Sequence, residues 1–194
     1  AITYQELYVR VNEFAALLQD FAGLKAGDRV TLHMPMTPEL PVVMLACARI
    51  GVIHSQVFGG FSGIACGERI VDSESHVLIT MDAYWRSGTL LDHKEKADEA
   101  VAKAAEGGVT VDKVLVWRRY PGKVSAATPM VDGRDYFVDE LMKDYRGQRV
   151  APLSMSADAP LFLMYTSGTT ARPKGVMITH RNAYMNIMGS LVHQ

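Results

Sequence analysis

The sequence predicts an α/β protein, a parallel-sheet subdomain with flanking helices plus the start of a second α/β subdomain. The main observation is an alternation along residues 3–117: four segments with helical apolar spacing each precede a segment that reads as a strand. That order implies a parallel sheet with helices on its faces. A hydrophobic content of 48% over 194 residues is enough for a buried core and lies near the usual boundary between one domain and two.

The first helix opens at Thr3-Tyr4-Gln5-Glu6, a capping box in which the Thr3 hydroxyl and Glu6 carboxylate satisfy free backbone amides. Leu7, Val11, Phe14, Leu18 and Phe21 then give one apolar face, and Gly23 supplies the stop. Val30, Leu32 and Met34 alternate with Arg29, Thr31 and His33, the pattern of a half-buried strand. Thr37-Pro38 opens a second helix, with proline at the first helical position, running to Gly51.

Val52 to Phe58 reads as a strand, Ser62 to Ser73 as a helix, and His76 to Met81 as a strand. Leu90 to Glu106 is a charged-faced helix ended by Gly107-Gly108, and Lys113 to Trp117 is a fourth strand. Pro121 to Arg134 reads as a surface loop before a short helix around Asp135 to Tyr145. The irregular stretch from Arg149 to Pro160 places a boundary that leaves 1–150 as the first subdomain and 151–194 as the start of the second. There Leu161 to Tyr165 and Gly175 to Thr179 read as strands, and Arg181 to Gln194 as a helix.

Lys plus Arg is 20 against 21 for Asp plus Glu, so the net charge of −1 gives no broad attraction to nucleic acid or to an anionic membrane. Any anion must be held by a local arrangement. Cys47 and Cys66 form neither a metal-spaced cluster nor a disulfide framework, and no apolar run approaches membrane-spanning length. The expectation is a soluble, cytoplasmic chain. Ala1 in place of Met and a last helix without a stop signal suggest a piece of a longer protein.

The stretch "YTSGTTARPKG", residues 165–175, directly follows an apolar strand candidate. It therefore emerges at a strand's carboxyl end, where open α/β sheets usually bind ligands. Thr166, Ser167, Thr169 and Thr170 offer hydroxyl donors, while Gly168 and Gly175 let backbone amides approach a ligand. Lys174 adds a flexible point charge and Arg172 a forked one. The set suits phosphate oxygens, although composition alone leaves a plain turn between two strands equally open. It is not a Walker A loop, because Gly175 follows Lys174 where Ser or Thr would be required.

"YTSGTTARPKGV" resembles the phosphate-binding signature of the adenylate-forming superfamily. Ala171 stands where that pattern usually has glycine; if the position needs φ > 0, the added Cβ costs on the order of 1 kcal/mol. "MLACARIGVIHSQVFGGFS" (44–62), "GRDYFVDEL" (133–141) and "SADAPLFLMYTSGTT" (156–170) resemble the acetyl-CoA and propionyl-CoA synthetase subfamily. The resemblance spans about Thr3 to Asn182 and implies part of the large N-terminal domain of adenylate-forming enzymes.

It further implies a two-step ligase. A carboxylate attacks the α-phosphorus of Mg-ATP to give acyl-AMP and pyrophosphate, and the CoA thiol then displaces AMP. Thr166, Ser167, Gly168, Thr169, Thr170 and Lys174 are expected at the ATP phosphates, with Lys174 and Thr166 as catalytic residues. Phe58, Gly59, Gly60 and Arg86 are expected at CoA, and Thr89 stands where a second arginine is usual. Read locally, Phe58-Gly59-Gly60 also suits an ordinary strand-to-helix turn, Arg86 a solvated surface position, and His180 a structural role.

Mg²⁺ ligands, the adenine pocket and the acyl pocket are expected downstream of this chain, in the remainder of the same protein, and no metal ligand is assigned here. The 194 residues alone are expected to bind nucleotide weakly and not to turn over. A non-catalytic nucleotide- or phosphate-binding module, or a ligase for a longer or aryl acid, remains open, as does the oligomeric state.

Overall fold

The structure, a computed structural model, describes residues 2–121, 130–166 and 173–192. Helix α1 (Tyr4–Asp20) begins at the expected capping box: the Glu6 amide donates to Thr3 Oγ1 at 3.2 Å and the Thr3 amide to Glu6 Oε2 at 2.6 Å. Then follow β1 (Arg29–Met34), α2 (Glu39–Arg49), β2 (Ile53–Phe58), α3 (Gly63–Ser73) and β3 (Val77–Met81). Pro38 precedes α2 by one residue, with φ −59° already helical, so its missing amide still lies where no helical acceptor exists.

The chain next forms a hairpin, β4 (Ala83–Arg86) with β5 (Thr89–Asp92), before α4 (Lys94–Glu106) and β6 (Lys113–Trp117). The expected helix start at Leu90 is therefore three to four residues early. Ser87 and Gly88 turn the hairpin with φ of +50° and +79°, the left-handed pair that a two-residue loop demands. Residues 135–145 also differ from expectation: Asp135–Phe137 forms β7, added parallel to β6, and only Val138–Leu141 is helical (α5). Three backbone pairings to β6 outweigh the helical spacing of so short a segment. The chain closes with β8 (Pro160–Thr166), β9 (Lys174–Thr179) and α6 (His180–Val192).

Seven strands form one sheet in the order β7-β6-β3-β1-β2-β8-β9. All neighbours are parallel except β8 and β9. The second strand pair expected after residue 151 thus extends the first sheet, by β8 pairing on β2. Residues 151–159 between α5 and β8 carry neither helix nor strand.

Both faces of the sheet's centre are covered. One core unites Phe14, Leu17 and Leu18 of α1 and Val42 and Val43 of α2 with Val30, Leu32 and Met34 of β1. The opposite core joins Cys66 and Ile70 of α3 to Ala97, Ala100 and Ala104 of α4. This corrects the half-buried reading of β1: Thr31 and His33 are as buried as the alternating apolar residues, because α3 and α4 close the second face. Gly63 and Gly67 permit that closure, since a Cβ on either would fall 2.3 Å or 2.5 Å from the nearest atom of α4.

One charged cluster ties α4 to the β7 edge. Lys94, 1% exposed, places Nζ 2.8 Å from Asp135 Oδ2 and 2.7 Å from Asp98 Oδ1, and Arg134 reaches both carboxylates. Burial pushes the Asp135 carboxyl up, but hydrogen bonds from Arg134, Lys94 and the Val131 amide outweigh it and hold the group below the usual carboxylate range. Asp135→Ala leaves buried cations short of a partner and is expected to destabilise the fold by about 3–5 kcal/mol, measured by chemical denaturation.

Candidate functional site

Parallel pairing carries the ends of β1, β2, β3, β6 and β8 to one edge of the sheet. The connection after β1 leads towards β2 while that after β3 leads to the other side, so the order reverses between β1 and β3. Ligands in open α/β sheets bind at such a reversal. A cleft of about 310 Å³ lies there, lined by Met36 and Thr37 after β1, Phe58 and Gly60 at the end of β2, and Trp85 and Arg86 of β4.

The sequence-predicted residues Phe58, Gly59, Gly60 and Arg86 are thereby brought together. Arg86 Cζ stands 5.8 Å from the Phe58 ring centroid. Gly60 lies under both: a Cβ there would fall 2.3 Å from Arg86 Nη1 and 2.4 Å from Phe58 Cε1. Gly59 presses on the end of β1, where a Cβ would meet Pro35 N at 2.8 Å. Gly59 is thus required by close approach to backbone, whereas a side chain at Gly60 would push Arg86 and the Phe58 ring aside. Phe58 and Trp85 are half exposed, giving the cleft flat apolar walls beside a guanidinium.

Three supports were missed from sequence. The Tyr84 hydroxyl donates to the Gly59 carbonyl at 2.9 Å and pins the turn after β2 to the hairpin. The buried Asp82 carboxylate accepts from the amides of Ala83 (2.7 Å), Arg119 (2.9 Å) and Tyr120 (2.8 Å), gathering the exits of β3 and β6. Arg119 is turned to Glu39 at 2.8 Å. The hairpin was missed too, although it has a local signal: Ser87-Gly88 separates "AYWR" from "TLLD" by two residues suited to a tight turn. The Asp82 contacts had no local signal.

Below the turn lies a buried imidazole pair. His33 and His93 have ring centroids 4.3 Å apart, and Tyr84 meets His93 edge-on at 5.1 Å. Burial lowers His33 to about 3 and His93 to about 4; each also feels nearby positive groups. His54, stacked on Phe162 at 5.4 Å, is lowered by burial to about 4. Burial also raises the thiols of Cys47 and Cys66, the latter to about 12, so neither is a nucleophile at neutral pH.

Of the hydroxyl loop, Thr166 and Lys174 are described: they face each other as the last pair of the β8–β9 ladder, both exposed. Ser167, Gly168, Thr169 and Thr170 lie outside the described residues, as do Ala171 and Arg172. The register of β8 on β2 pairs Ser55 with Leu163, so three residues on, Phe58 and Thr166 end neighbouring strands. The loop therefore roots beside the turn that carries Phe58. At the other end of the ladder Thr179 caps α6, its hydroxyl accepting from the Asn182 amide at 3.2 Å. His180 lies beside this cap.

Two outcomes follow from this geometry. Tyr84→Phe removes the bond to the Gly59 carbonyl, and the expected loss is about 1–3 kcal/mol of stability in denaturant unfolding. For the imidazoles, the folded pKa values lie below the ordinary 6.5, so unfolding takes up protons once the pH drops below 6.5. Stability present above pH 6.5 is expected to be lost progressively towards pH 4, and His93→Gln should reduce that loss in a pH series of melting temperatures.

The whole chain, residues 1–194, matches the family of AMP-binding enzymes. It is 45% identical over 193 residues to the acetyl-coenzyme A synthetase of Bartonella quintana (strain Toulouse), covering 100% of this chain and 28% of that protein. Its identity to the acetyl-coenzyme A synthetase of Rhizobium rhizogenes (strain K84 / ATCC BAA-868) is 48% over 178 residues, 92% of this chain and 26% of that one. The 3-hydroxypropionyl-coenzyme A synthetase of Sulfurisphaera tokodaii is 44% identical over 176 residues, 91% of this chain and 25% of that protein. The chain spans about a quarter of the length of these curated relatives. The expectation raised by "YTSGTTARPKGV" is met: the chain belongs to the family of AMP-binding enzymes.

Proposed function

We propose that this chain is the part of an ATP-dependent, AMP-forming short-chain acyl-CoA synthetase that holds the ATP phosphates and one end of CoA. The observation that carries the reading is the convergence of two ligand-suited segments, the Phe58-Gly59-Gly60 turn with Arg86 and the hydroxyl loop rooted at Thr166 and Lys174, on one carboxyl edge of a parallel sheet. Relatives named as acetyl- and 3-hydroxypropionyl-coenzyme A synthetases support short acids as substrates.

In the first step a carboxylate oxygen attacks the α-phosphorus of ATP and pyrophosphate leaves. Charge grows on the departing oxygens, and the hydroxyls of Thr166, Ser167, Thr169 and Thr170, the Gly168 backbone and the Lys174 ammonium are proposed to meet it as it develops. In the second step the CoA thiol attacks the acyl carbonyl and AMP departs. For CoA, Phe58 and Trp85 offer flat faces to a base and Arg86 a fork for phosphate. Mg²⁺ is proposed to enter with the ATP phosphates; among the described residues no group of three or more His, Cys, Asp or Glu is placed to hold it.

The division at residues 150 and 151 is kept as a proposal: 1–150 form the first subdomain and 151–194 open a second, completed by further chain of the natural protein. In support, Tyr184, Met185, Ile187 and Leu191 on α6 are all more than half exposed, an apolar surface suited to burial by further chain. No helix among the described residues is long and apolar enough to cross a membrane, and a cytoplasmic location is proposed with the rest.

The deciding experiment is carboxylate-dependent ATP/pyrophosphate exchange on the full-length gene product, with acetate, propionate, butyrate and benzoate offered separately. Exchange with a short acid is expected, and Lys174→Met should lower its turnover by about 100-fold. Exchange with benzoate alone would replace the short-acid reading by an aryl-acid one. Exchange with none, unrestored by Ala171→Gly, would leave a nucleotide-binding module.

A further inference from the structure

Arg69, on the second turn of α3, is 7% exposed and forms no ion pair among the described residues. Its Nη1 donates to the Ala65 carbonyl at 2.5 Å, while Nε has no hydrogen-bond partner among the described residues. A buried cation so poorly compensated by hydrogen bonds is costly unless something else holds it. Here two aromatic rings do: Cζ lies 4.9 Å from the Phe61 centroid and 5.1 Å from that of Tyr165. Desolvated cation–π contacts of this kind are among the stronger ones.

The two rings belong to different functional segments. Phe61 follows the Gly59-Gly60 turn directly and meets Phe58 edge-on at 6.0 Å, and Phe58 in turn carries Arg86. Tyr165 is the residue before Thr166, and its hydroxyl donates to Asp72 Oδ2 at 2.6 Å. Burial and then the Asp72 carboxylate raise the phenol pKa, so it stays a donor at neutral pH. Arg69 and Asp72 lie three residues apart on α3, one holding the face of the Tyr165 ring and the other its hydroxyl.

We infer that Arg69 is a positioning residue that fixes the turn bearing Phe58 and the base of the hydroxyl loop against each other, and so sets the spacing between the cleft and the loop. As a statement about CoA and ATP phosphates it rests on the function proposed above; as a statement about the two segments it does not. The guanidinium is essential to it, because a compact, strongly hydrated ammonium is held dry against two rings less readily.

The test uses the full-length gene product and its Arg69→Met and Arg69→Lys variants, with two readouts. Native-state tryptic cleavage after Lys174 reports the hold on the loop base, and cleavage after Lys113 in β6 reports general opening. Arg69→Met is expected to speed the first at least 5-fold and leave the second unchanged. In the steady state it should lower the turnover of ATP/pyrophosphate exchange and raise the CoA KM by about 10-fold each, with the carboxylate KM within about twofold, and Arg69→Lys should recover only part.

Equal acceleration at Lys174 and Lys113 would reduce Arg69 to general stability and overturn the proposal. Unchanged cleavage at Lys174 would overturn it as well. Absence of exchange in the unaltered protein would count against the proposed function, and the cleavage ratio would still judge Arg69.

Discussion

Parallel pairing of six successive neighbours in the sheet, β7 to β8, is the constraint on which the rest depends. Because those strands run one way, their carboxyl ends share an edge, and every loop that carries a candidate ligand group leaves from it. The price of such a sheet is burial on both faces, since its backbone twist and crossover helices leave no solvated side at the centre. This is why Thr31 and His33 sit in the interior and why α3 must lie close on α4 through Gly63 and Gly67.

Burial of polar groups near the edge has a consistent logic. Asp82 is compensated by three backbone amides, Lys94 by two carboxylates, and Arg69 by two rings. Each ties together segments distant in sequence: the exits of β3 and β6, α4 and β7, the turn after β2 and the end of β8. Hydrogen-bonded or stacked charges of this sort specify an arrangement that apolar packing alone leaves loose. The histidines differ, for they stay neutral and serve as packing under the Gly59 turn.

With a net charge of −1 the chain offers no long-range field to draw in a nucleotide. On the proposed function recognition is then local, and the cleft offers two half-exposed aromatic faces, one guanidinium above a ring, and a glycine pressed against backbone. Thr166 and Lys174, the described ends of the hydroxyl loop, lie on the neighbouring strand pair at the same edge, so the two proposed halves of the chemistry share one sheet.

Local rules account for much of what the sequence determined by itself. The capping box at Thr3, the strands β1, β2, β3 and β6 and the α/β class all followed from periodicity, caps and composition within a few residues. Residues 135–145 escaped this because backbone pairing with β6 decides them, and the hairpin at Ser87-Gly88 because the charged helix after it extended the apparent period backwards. Tertiary structure alone decided that β8 joins the first sheet, that both faces of β1 are buried, and that Arg69 lies between Phe61 and Tyr165. Those facts rest on contacts between residues up to about a hundred positions apart, whose free energy depends on burial and geometry that no local window contains.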